Sequence, residues 1–252
     1  MRTLLTQVNN AIFLIPFFII IVATSCAQQK KIIQLNDSLT VSSKLLHEER
    51  FDSNLDNWVV EQREGGKATI KNEKLEINDA SGCTIWFNKK LEGPIMIEYD
   101  TFIIKDGGSH DRVSDMNCFW MAKDMEYPED LFQNSKKRGG KFSNYDSLRL
   151  YYMGVGGHHN TKTRFRRYVG NGERPLLPEY DFTNPDFLLA PNQVYHIKII
   201  AFKNTIQYYR NNVLMVDYFD DSPYTSGYFG FRTVDNHMTI DNFKVSELTQ
   251  KN

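Results

Sequence analysis

The chain has 252 residues, a formal net charge of −1 and an aromatic content of 13%. Because this net charge is close to zero, the composition favours neither nucleic acid nor an anionic membrane surface as a partner. Once an N-terminal leader and a polar tether are both set aside, roughly 200 residues remain for one domain of ordinary size.

An apolar segment at the N terminus predicts export. Ala11–Val22 is an unbroken apolar run, too short for a comfortable membrane span, and it leads into Ala23-Thr24-Ser25-Cys26. This order resembles a bacterial lipoprotein signal, so we expect residues 1–26 to be a signal peptide in which Cys26 becomes the lipidated first residue. The mature protein would then be anchored in the cell envelope, facing the periplasm or on the outer membrane. An ordinary cleaved secretory signal is the alternative, and both take the protein out of the cytoplasm.

The rest of the chain divides into a tether and one domain. Residues 27–46 are polar and indicate a tether, and residues 47–252 are predicted to form a single domain. Cys83 and Cys118 would lie in an oxidising compartment, where a disulfide is chemically allowed. The sequence leaves a disulfide and two buried free thiols open.

Strand–turn–strand patterning runs through the domain, without helical periodicity. Asn211-Asn212 tolerates the positive φ that a tight turn demands, so Thr205–Tyr218 is predicted to be a hairpin. About twelve candidate strands favour an all-β fold of two antiparallel sheets packed face to face. Such a sandwich leaves a concave outer face, over which the long segments Lys105–Asp115, Lys123–Asp146 and Gly170–Asn192 could build a binding site.

The segment from Tyr151 to Tyr168 holds the densest set of reactive side chains. Its glycine-rich turn joins the predicted strands Ser147–Met153 and Arg164–Val169. Strand alternation divides the side chains between two faces. The residues predicted to share one groove are Arg149, Tyr151, Arg164, Arg166 and Tyr168. The residues predicted to point elsewhere are Tyr152, Phe165 and Arg167.

Histidines and arginines in this segment are candidates for a site. His158 and His159 occupy the turn, where at most one is expected to face the groove as a general base or acid. Two exposed turn residues are the alternative. Arg149, Arg164 and Arg166 can each hold a carboxylate through two hydrogen bonds, and pairing with surface carboxylates is their alternative role.

Aromatic and amide side chains complete the predicted site. Tyr151 and Tyr168 can stack against a sugar ring or donate a proton, and ordinary packing is the alternative. Asn117 and Trp120 are candidate substrate-binding residues, although neighbouring strand positions face opposite ways and Trp120 is equally compatible with the core. Asp241 is a candidate calcium ligand, because hard cations take oxygen ligands. An acidic turn that closes the last strand is the alternative there, and calcium is the one cofactor that the sequence suggests.

Several segments carry a resemblance to a known family. They are Phe51–Trp58, Arg112–Ala122, Tyr145–Tyr152, Thr163–Leu177, Gly227–Arg232 and Ile240–Phe243. Through them the chain resembles the concanavalin A-like lectin/glucanase superfamily and, within it, an uncharacterised bacterial family, domain of unknown function 6250. The resemblance implies a jelly-roll sandwich and an association with carbohydrate, often in polysaccharide breakdown. It brings no established catalytic residues, and a fold alone does not define a function.

Residue chemistry then separates the candidate reactions. Glycoside hydrolysis needs two flanking carboxyl groups, and sandwich glucanases usually carry them as Glu-x-Asp-x-x-Glu. Here Glu98 and Asp100 share a strand face without the third acid. β-Elimination on a uronate needs a cation, a base and an acid, and the segment from Arg149 to Tyr168 contains all three types.

We therefore expect an exported carbohydrate-active lipoprotein that acts on uronic-acid-containing polysaccharide or oligosaccharide by polysaccharide-lyase-like β-elimination. The alternatives are a non-catalytic carbohydrate-binding lipoprotein that uses the same groove and a hydrolase of modified glycosides.

Overall fold

The computed structural model describes residues 30–251, which form two antiparallel sheets packed face to face. The strands are β1 (Lys31–Asn36), β2 (Leu39–Glu49), β3 (Trp58–Gln62), β4 (Lys67–Lys71), β5 (Lys74–Asp79), β6 (Cys83–Phe87), β7 (Leu91–Glu92), β8 (Ile95–Ile103), β9 (Met116–Asp124), β10 (Leu148–Gly156), β11 (Lys162–Val169), β12 (Asp181–Phe182), β13 (Val194–Phe202), β14 (Thr205–Arg210), β15 (Val213–Phe219), β16 (Ser226–Thr233) and β17 (Asn236–Gln250).

Helical elements are short. They are α1 (Ser135–Arg138), the 3-10 helices Leu131–Asn134, Phe142–Tyr145, Pro178–Tyr180 and Pro185–Phe187, and one left-handed turn at Gly157–Asn160. Within residues 30–251, no helix combines the length and the apolar character needed to cross a membrane.

The strand order explains how the two sheets close on each other. Sheet 1 has the order β1-β2-β17-β8-β13-β14-β15, with β5 beside β17 and β4 beside β5. Sheet 2 has the order β12-β11-β10-β9-β16-β6-β3, with β7 beside β16. Every strand pair is antiparallel. The predicted all-β antiparallel sandwich is confirmed.

Alternation along the strands builds the core between the sheets. In β8, Ile97 and Tyr99 belong to the large core cluster, whereas Glu98 and Asp100 are half-buried on the opposite face. Full burial of such a large apolar side chain stabilises the fold by about 1.5–3 kcal/mol. The predicted hairpin is confirmed as β14–β15, where Asn211 and Asn212 adopt φ values of 52° and 64°.

Part of the predicted tether is instead structured. Residues 31–46 form β1 and most of β2, and β2 pairs with β17 along its length. Leu35 and Val41 are buried with Met96 and Leu248 in a small cluster on the outer face of sheet 1. Strands near a sheet edge need few apolar contacts, so a segment of largely polar composition can still form them. The composition of residues 27–46 therefore did not reveal β1 and β2. The predicted signal peptide and Cys26 lie outside the described residues.

The two described cysteines are free thiols. Cys83 on β6 and Cys118 on β9 are both buried and unpaired. They lie opposite Thr233 and Phe231 of β16. β6 and β9 lie on opposite sides of β16, so two strand spacings, about 10 Å, separate the two cysteines, beyond the reach of a disulfide without backbone movement. Of the two alternatives left open by the sequence, the structure has the free thiols.

Candidate functional site

A pocket of about 630 Å³ opens on the outer face of sheet 2, at the end of the sheet where β10 turns into β11. Its lining is strongly cationic, with five basic side chains and one carboxylate: Arg112, Lys162, Arg164, Arg166, Arg174 and Asp115. We refer to it as the cationic pocket. The excess of positive charge favours an anionic ligand.

Strand register places the floor of the cationic pocket. Tyr152 on β10 lies opposite Arg166 on β11, and Gly154 lies opposite Arg164, so all of these positions face outward together. Tyr168 lies two residues beyond Arg166 on the same face. A methyl group at Gly154 would collide with the hydroxyl of Tyr152, so the tyrosine ring can lie along the floor only above a glycine.

Arg166 differs from the other basic residues of the pocket in having no carboxylate within ion-pair distance in the described chain, although its charge acts on Asp146 and opposes the rise that burial causes in the pKa of that carboxyl. Arg164 binds Asp181 with an Nε–Oδ1 distance of 2.7 Å, and Arg174 binds Asp146 with an Nε–Oδ2 distance of 3.3 Å. The guanidinium of Arg166 donates to the carbonyl of Arg174 and makes no ion pair within the described chain. It is therefore the cation best placed to take a carboxylate from a ligand.

The histidine turn forms one rim of the cationic pocket. His158, His159 and Asn160 all have positive φ, and the Asn160 side chain exchanges two hydrogen bonds with the backbone of Leu189, at 2.8 and 2.9 Å. Both histidines are exposed and both line the pocket. The prediction that at most one would face the groove is wrong, because a left-handed turn does not follow strand alternation.

Each histidine meets an arginine. Nε2 of His158 lies 2.9 Å from Nη1 of Arg164, and Nδ1 of His159 lies 3.3 Å from Nη1 of Arg112. A guanidinium has only donors, so the imidazole nitrogen in each pair is the acceptor and carries no proton. Each ring therefore has a nitrogen lone pair at the pocket rim, and an arginine donates a hydrogen bond to it.

Asp115 and Asn117 form the wall opposite β11. The Asn117 side chain accepts from the amide of Val155 at 3.0 Å and donates to Asp115 at 3.3 Å, while Asp115 also accepts from Arg112 at 2.7 Å. Burial raises the pKa of Asp115, and hydrogen bonds from Ser114 and the charge of Arg112 oppose that rise. Asn117 lies in the pocket lining, and its role in substrate binding stays a prediction.

Two phenols belong to the pocket. Burial raises the pKa of both Tyr168 and Tyr152 above the usual range of a phenol. The hydroxyl of Tyr168 is buried without a hydrogen-bond partner in the described chain. Both phenols are therefore protonated at neutral pH, but the buried hydroxyl of Tyr168 does not reach the surface, so Tyr152 is the phenol that can donate to a ligand oxygen.

Three predicted site residues lie outside the cationic pocket. Tyr151 is fully buried in the core and its hydroxyl donates to Asp220 at 2.5 Å. Trp120 is fully buried beside it, with ring centroids 5.6 Å apart. The guanidinium of Arg149 lies 4.6 Å from the ring centroid of Tyr224, away from the pocket. The prediction placed these three residues in the groove, and it is wrong. The arginine on the Arg149–Tyr151 face suggested a surface. That face is nevertheless a core face, because Arg149 lies near the end of the sandwich, where its side chain reaches the edge.

Tyr152 is the most informative residue that the sequence misassigned. It shares its face with Leu148 and Leu150, a pattern typical of a core face. That face is instead covered by the segment Leu131–Tyr145, which leaves Tyr152 at the boundary of the pocket. Lys162 and Arg174 also line the pocket but were not predicted as site residues. Their positive charge beside the loops that flank β11 was the only signal in the sequence for them.

The predicted calcium site does not fit the structure. Oδ2 of Asp241 lies 2.7 Å from the ammonium of Lys74, so a cationic side chain already occupies the ligand position. Among residues 30–251, no group of three or more His, Cys, Asp or Glu side chains is arranged to hold a metal ion. The alternative, an acidic turn that closes the last strand, is also wrong, because Asp241 lies within β17 at a β-bulge, opposite Asp100 of β8.

Comparison with known proteins identifies the fold. A model of the family described as Domain of unknown function (DUF6250) matches residues 77–243. No curated protein matches the sequence.

Solved structures share the sandwich at low sequence identity. A Bacillus subtilis protein of unknown function with a galectin-like fold has 19% identity and a TM-score of 0.64, with 83% of this chain and all 100% of that chain covered. The carbohydrate-binding module CBM66 from Bacillus subtilis has 14% identity and a TM-score of 0.52, covering 76% of this chain and 96% of that one. An endo-beta-1,3-glucanase from Pyrococcus furiosus has 14% identity and a TM-score of 0.53, covering 87% and 99%. These likenesses establish a galectin-like, concanavalin A-like jelly roll.

Proposed function

The chain belongs to this family of unknown function, and from that premise we propose that it is a carbohydrate-active protein whose cationic pocket binds a uronic-acid-containing glycan and catalyses β-elimination on it. The observation that supports the proposal most strongly is Arg166. Its guanidinium faces a pocket of 630 Å³ without a carboxylate partner in the described chain. A ligand carboxylate would supply the two acceptors that this planar group binds best.

The chemistry follows from the groups around Arg166. In β-elimination a base removes the proton on the carbon next to the carboxylate, and the C–H electrons form a carbon–carbon double bond. The bond to the leaving sugar oxygen breaks, and an acid protonates that oxygen. Arg166 would stabilise the negative charge that develops on the carboxylate in the transition state.

His158 is the proposed base and Tyr152 the proposed acid. Nε2 of His158 is already unprotonated, because it accepts from Arg164. Arg164 keeps two hydrogen bonds to Asp181, at 2.7 and 3.3 Å, so it remains in place when His158 turns to the substrate. Tyr152 is the cross-strand neighbour of Arg166, and its raised pKa keeps the proton available. General acid–base catalysis of this kind contributes roughly 10²–10⁴-fold to a rate.

Hydrolysis is less well supported by the lining. A glycosidase places two carboxyl groups on either side of the scissile bond. The cationic pocket contributes one carboxylate, Asp115, and this carboxylate already accepts from Arg112, Ser114 and Asn117.

A second candidate function is glycan binding without catalysis. The observation that favours it is that His158 and His159 each accept a hydrogen bond from an arginine, so neither of these nitrogens is free to act as a base. A binding module needs only the cations and the tyrosine floor, and one protein of the same fold, CBM66, is a carbohydrate-binding module. The two candidates share a ligand and differ in whether His158 leaves Arg164.

Location is a separate part of the proposal. We propose that the protein is exported and attached through lipid on Cys26, on the strength of the N-terminal sequence alone. Fractionation of cells that express the chain should place it with membranes, and Cys26→Ala should move it to the soluble fraction. Recovery of both forms in the soluble fraction would contradict the anchor.

The activity test uses two signals in parallel. The full chain is incubated with pectate, alginate and hyaluronan, and both the ultraviolet absorbance of an unsaturated uronate and the release of reducing ends are followed. The lyase proposal expects both signals to rise together. His158→Ala and Tyr152→Phe should each lower the rate by about 100-fold or more. His196→Ala is the matched control, because this half-exposed histidine lies on sheet 1 and pairs with Asp100.

Each other outcome has a defined meaning. Reducing ends without absorbance would replace elimination by hydrolysis. Binding with neither signal would leave the non-catalytic candidate. Equal loss of activity in His196→Ala and His158→Ala would contradict the assignment of His158 as the base.

A further inference from the structure

Segments on all four sides of the floor contribute lining residues to the cationic pocket. From this we infer that it takes the end of a glycan chain, or a short oligosaccharide, and not an internal stretch of a long polymer. The inference rests on the proposed function, because it concerns how the same ligand class enters the same pocket.

The first wall is the covering segment Leu131–Tyr145, which packs on the outer face of sheet 2 over the start of β10. Leu148 and Leu150 at the start of β10 are fully buried, and they pack in one cluster with Leu131 and Tyr145. Phe142 belongs to the same covering segment and also lines the cationic pocket. A glycan that follows β10 therefore meets the side of this segment after the floor formed by Tyr152.

This wall is fastened by buried charges. Arg138 is 3% exposed and binds Glu61 at 2.7 Å and Asp124 at 3.1 Å. It also donates to the carbonyl of Leu131, and the hydroxyl of Tyr145 donates to Glu61 at 2.5 Å. Removal of one partner from such a buried network costs about 3–5 kcal/mol. The wall is therefore a fixed part of the fold and not a lid that opens.

The opposite end is closed by the histidine turn. Asn160 ties the turn to Leu189 with two hydrogen bonds, and His158 and His159 project from it onto the rim. Their contacts with Arg164 and Arg112 brace the turn against the two sides of the pocket.

The remaining two sides are closed by loops. Beyond β16, Arg112 donates to the carbonyls of Val234 and Asp235 and links them to the pocket edge. Beyond β11, Arg164 binds Asp181 of β12, and Arg166 binds the carbonyl of Arg174. Each direction across the sheet thus ends on backbone held by an arginine.

These walls set the size and topology of the ligand. A volume of 630 Å³ lies inside the range of roughly 300–1,000 Å³ that holds one small ligand. A long polymer bound at an internal position needs two open ends, where the chain enters and leaves. A chain end needs one opening, toward solvent, which this pocket has.

The test measures how many protein molecules bind each glycan chain. The probes are size-graded series prepared from pectate, alginate and hyaluronan, from the disaccharide to the polymer. The protein is the full chain with Tyr152→Phe, which removes the proposed acid from the floor and leaves all four walls intact, so that cleavage of the glycans is slow during the titration. Calorimetric titration gives the stoichiometry. We expect the number of protein molecules per glycan chain to stay constant as the chain lengthens.

The failures can be told apart. A number that grows in proportion to chain length would overturn the chain-end inference and leave the proposed function standing. No binding to any member of the three series would overturn both. Binding to the disaccharide and loss of binding when one chain end is chemically modified would support the inference and identify which end enters.

A pair of variants tests the wall itself. Phe142→Ala shortens the wall at the pocket, whereas Phe132→Ala, in the same covering segment, removes a ring that packs against Tyr228 with a centroid distance of 5.0 Å. We expect Phe142→Ala to raise the number of molecules per polymer chain and Phe132→Ala to leave it unchanged. Equal stoichiometry in the two variants would contradict the role of this wall.

Discussion

The two faces of β10 place identical residue types in opposite surroundings. Tyr151 points into the sandwich, where its hydroxyl donates to Asp220 and accepts from the amide of Tyr224 at 3.0 Å. Tyr152 points outward to the floor of the cationic pocket, above Gly154. One phenol has its hydrogen bonds satisfied by the protein, and the other is available to a ligand.

This difference shows what separates a structural network from a binding site. On the inner face the buried carboxylate is matched: Asp220 accepts from Tyr151 and from Arg167, whose Nε lies 2.8 Å away. On the outer face the cations outnumber the acids, and Arg166 has no carboxylate within ion-pair distance in the described chain. Mutations on the inner face should therefore change stability, and mutations on the outer face should change binding.

The largest effect is expected at the inner-face carboxylate. Asp220→Ala leaves the Tyr151 hydroxyl and the Arg167 guanidinium without their acceptor, and it should lower the free energy of unfolding by about 3–5 kcal/mol. Chemical denaturation measures this change. The exposed neighbour Asp221 provides the control, because Asp221→Ala should stay within about 0.5 kcal/mol of the wild type. A loss of glycan affinity in Asp220→Ala, under conditions where it remains folded, would break the division between the faces.

The stability that Asp220 contributes should depend on pH. Burial raises the pKa of Asp220, but hydrogen bonds from Arg167, Tyr151 and the amide of Ser222 outweigh burial, so the net pKa lies below its usual value. The ionised carboxylate therefore contributes stability above the unfolded-state pKa of about 3.9, and this contribution is lost as the pH falls through the lower folded-state pKa. Asp220→Asn should lack this part of the acid dependence. The free energies of unfolding of the two forms should converge at low pH.

The next effect is expected on the outer face. Arg166→Ala removes a charged donor to the ligand carboxylate, worth about 1.5–3 kcal/mol. The dissociation constant for an acidic oligosaccharide should rise by roughly 10- to 100-fold, measured by calorimetry. Stability should remain within about 0.5 kcal/mol. Arg50→Ala makes the same change in net charge at an exposed position and should not alter affinity. Equal losses in the two variants would indicate long-range attraction without a specific contact.

The smallest expected effects are those of removing one hydroxyl from either of the neighbouring residues Tyr151 and Tyr152. Tyr151→Phe removes one hydroxyl from the buried network and should cost about 1–2 kcal/mol of stability, with glycan affinity unchanged. Tyr152→Phe should leave stability nearly unchanged and weaken binding or turnover. Thermal unfolding and titration on the same two proteins give both quantities. The reverse pattern would contradict the assignment of the two faces.

Much of the fold was accessible from local patterns. Alternation in β10 and β11 and the Asn211-Asn212 turn depend on neighbouring residues alone, so the sandwich and the β14–β15 hairpin were predicted correctly. The same alternation grouped Arg164, Arg166 and Tyr168 on one face, which the structure places in the pocket lining. The resemblance to a family added the jelly roll.

The composition of the pocket was less accessible. Arg112, Lys162 and Arg174 reach it from a loop, a strand end and a second loop, and their meeting depends on the closed sandwich. The histidine turn was misjudged because successive left-handed residues do not alternate as strand residues do. The inner position of Arg149 depended on where the sheet ends.

The sequence by itself determined the alternation of β10, and with it the fact that Tyr151 and Tyr152 face opposite ways. It could not determine which way was inward, because both faces of the strand carry apolar residues. Leu148 and Leu150 are buried by the covering segment, and Met153 and Val155 are buried by sheet 1. Only the tertiary structure decided this, since burial depends on what lies across each face. Phe142 of the covering segment borders the cationic pocket, and beyond its side chain the outer face is no longer covered.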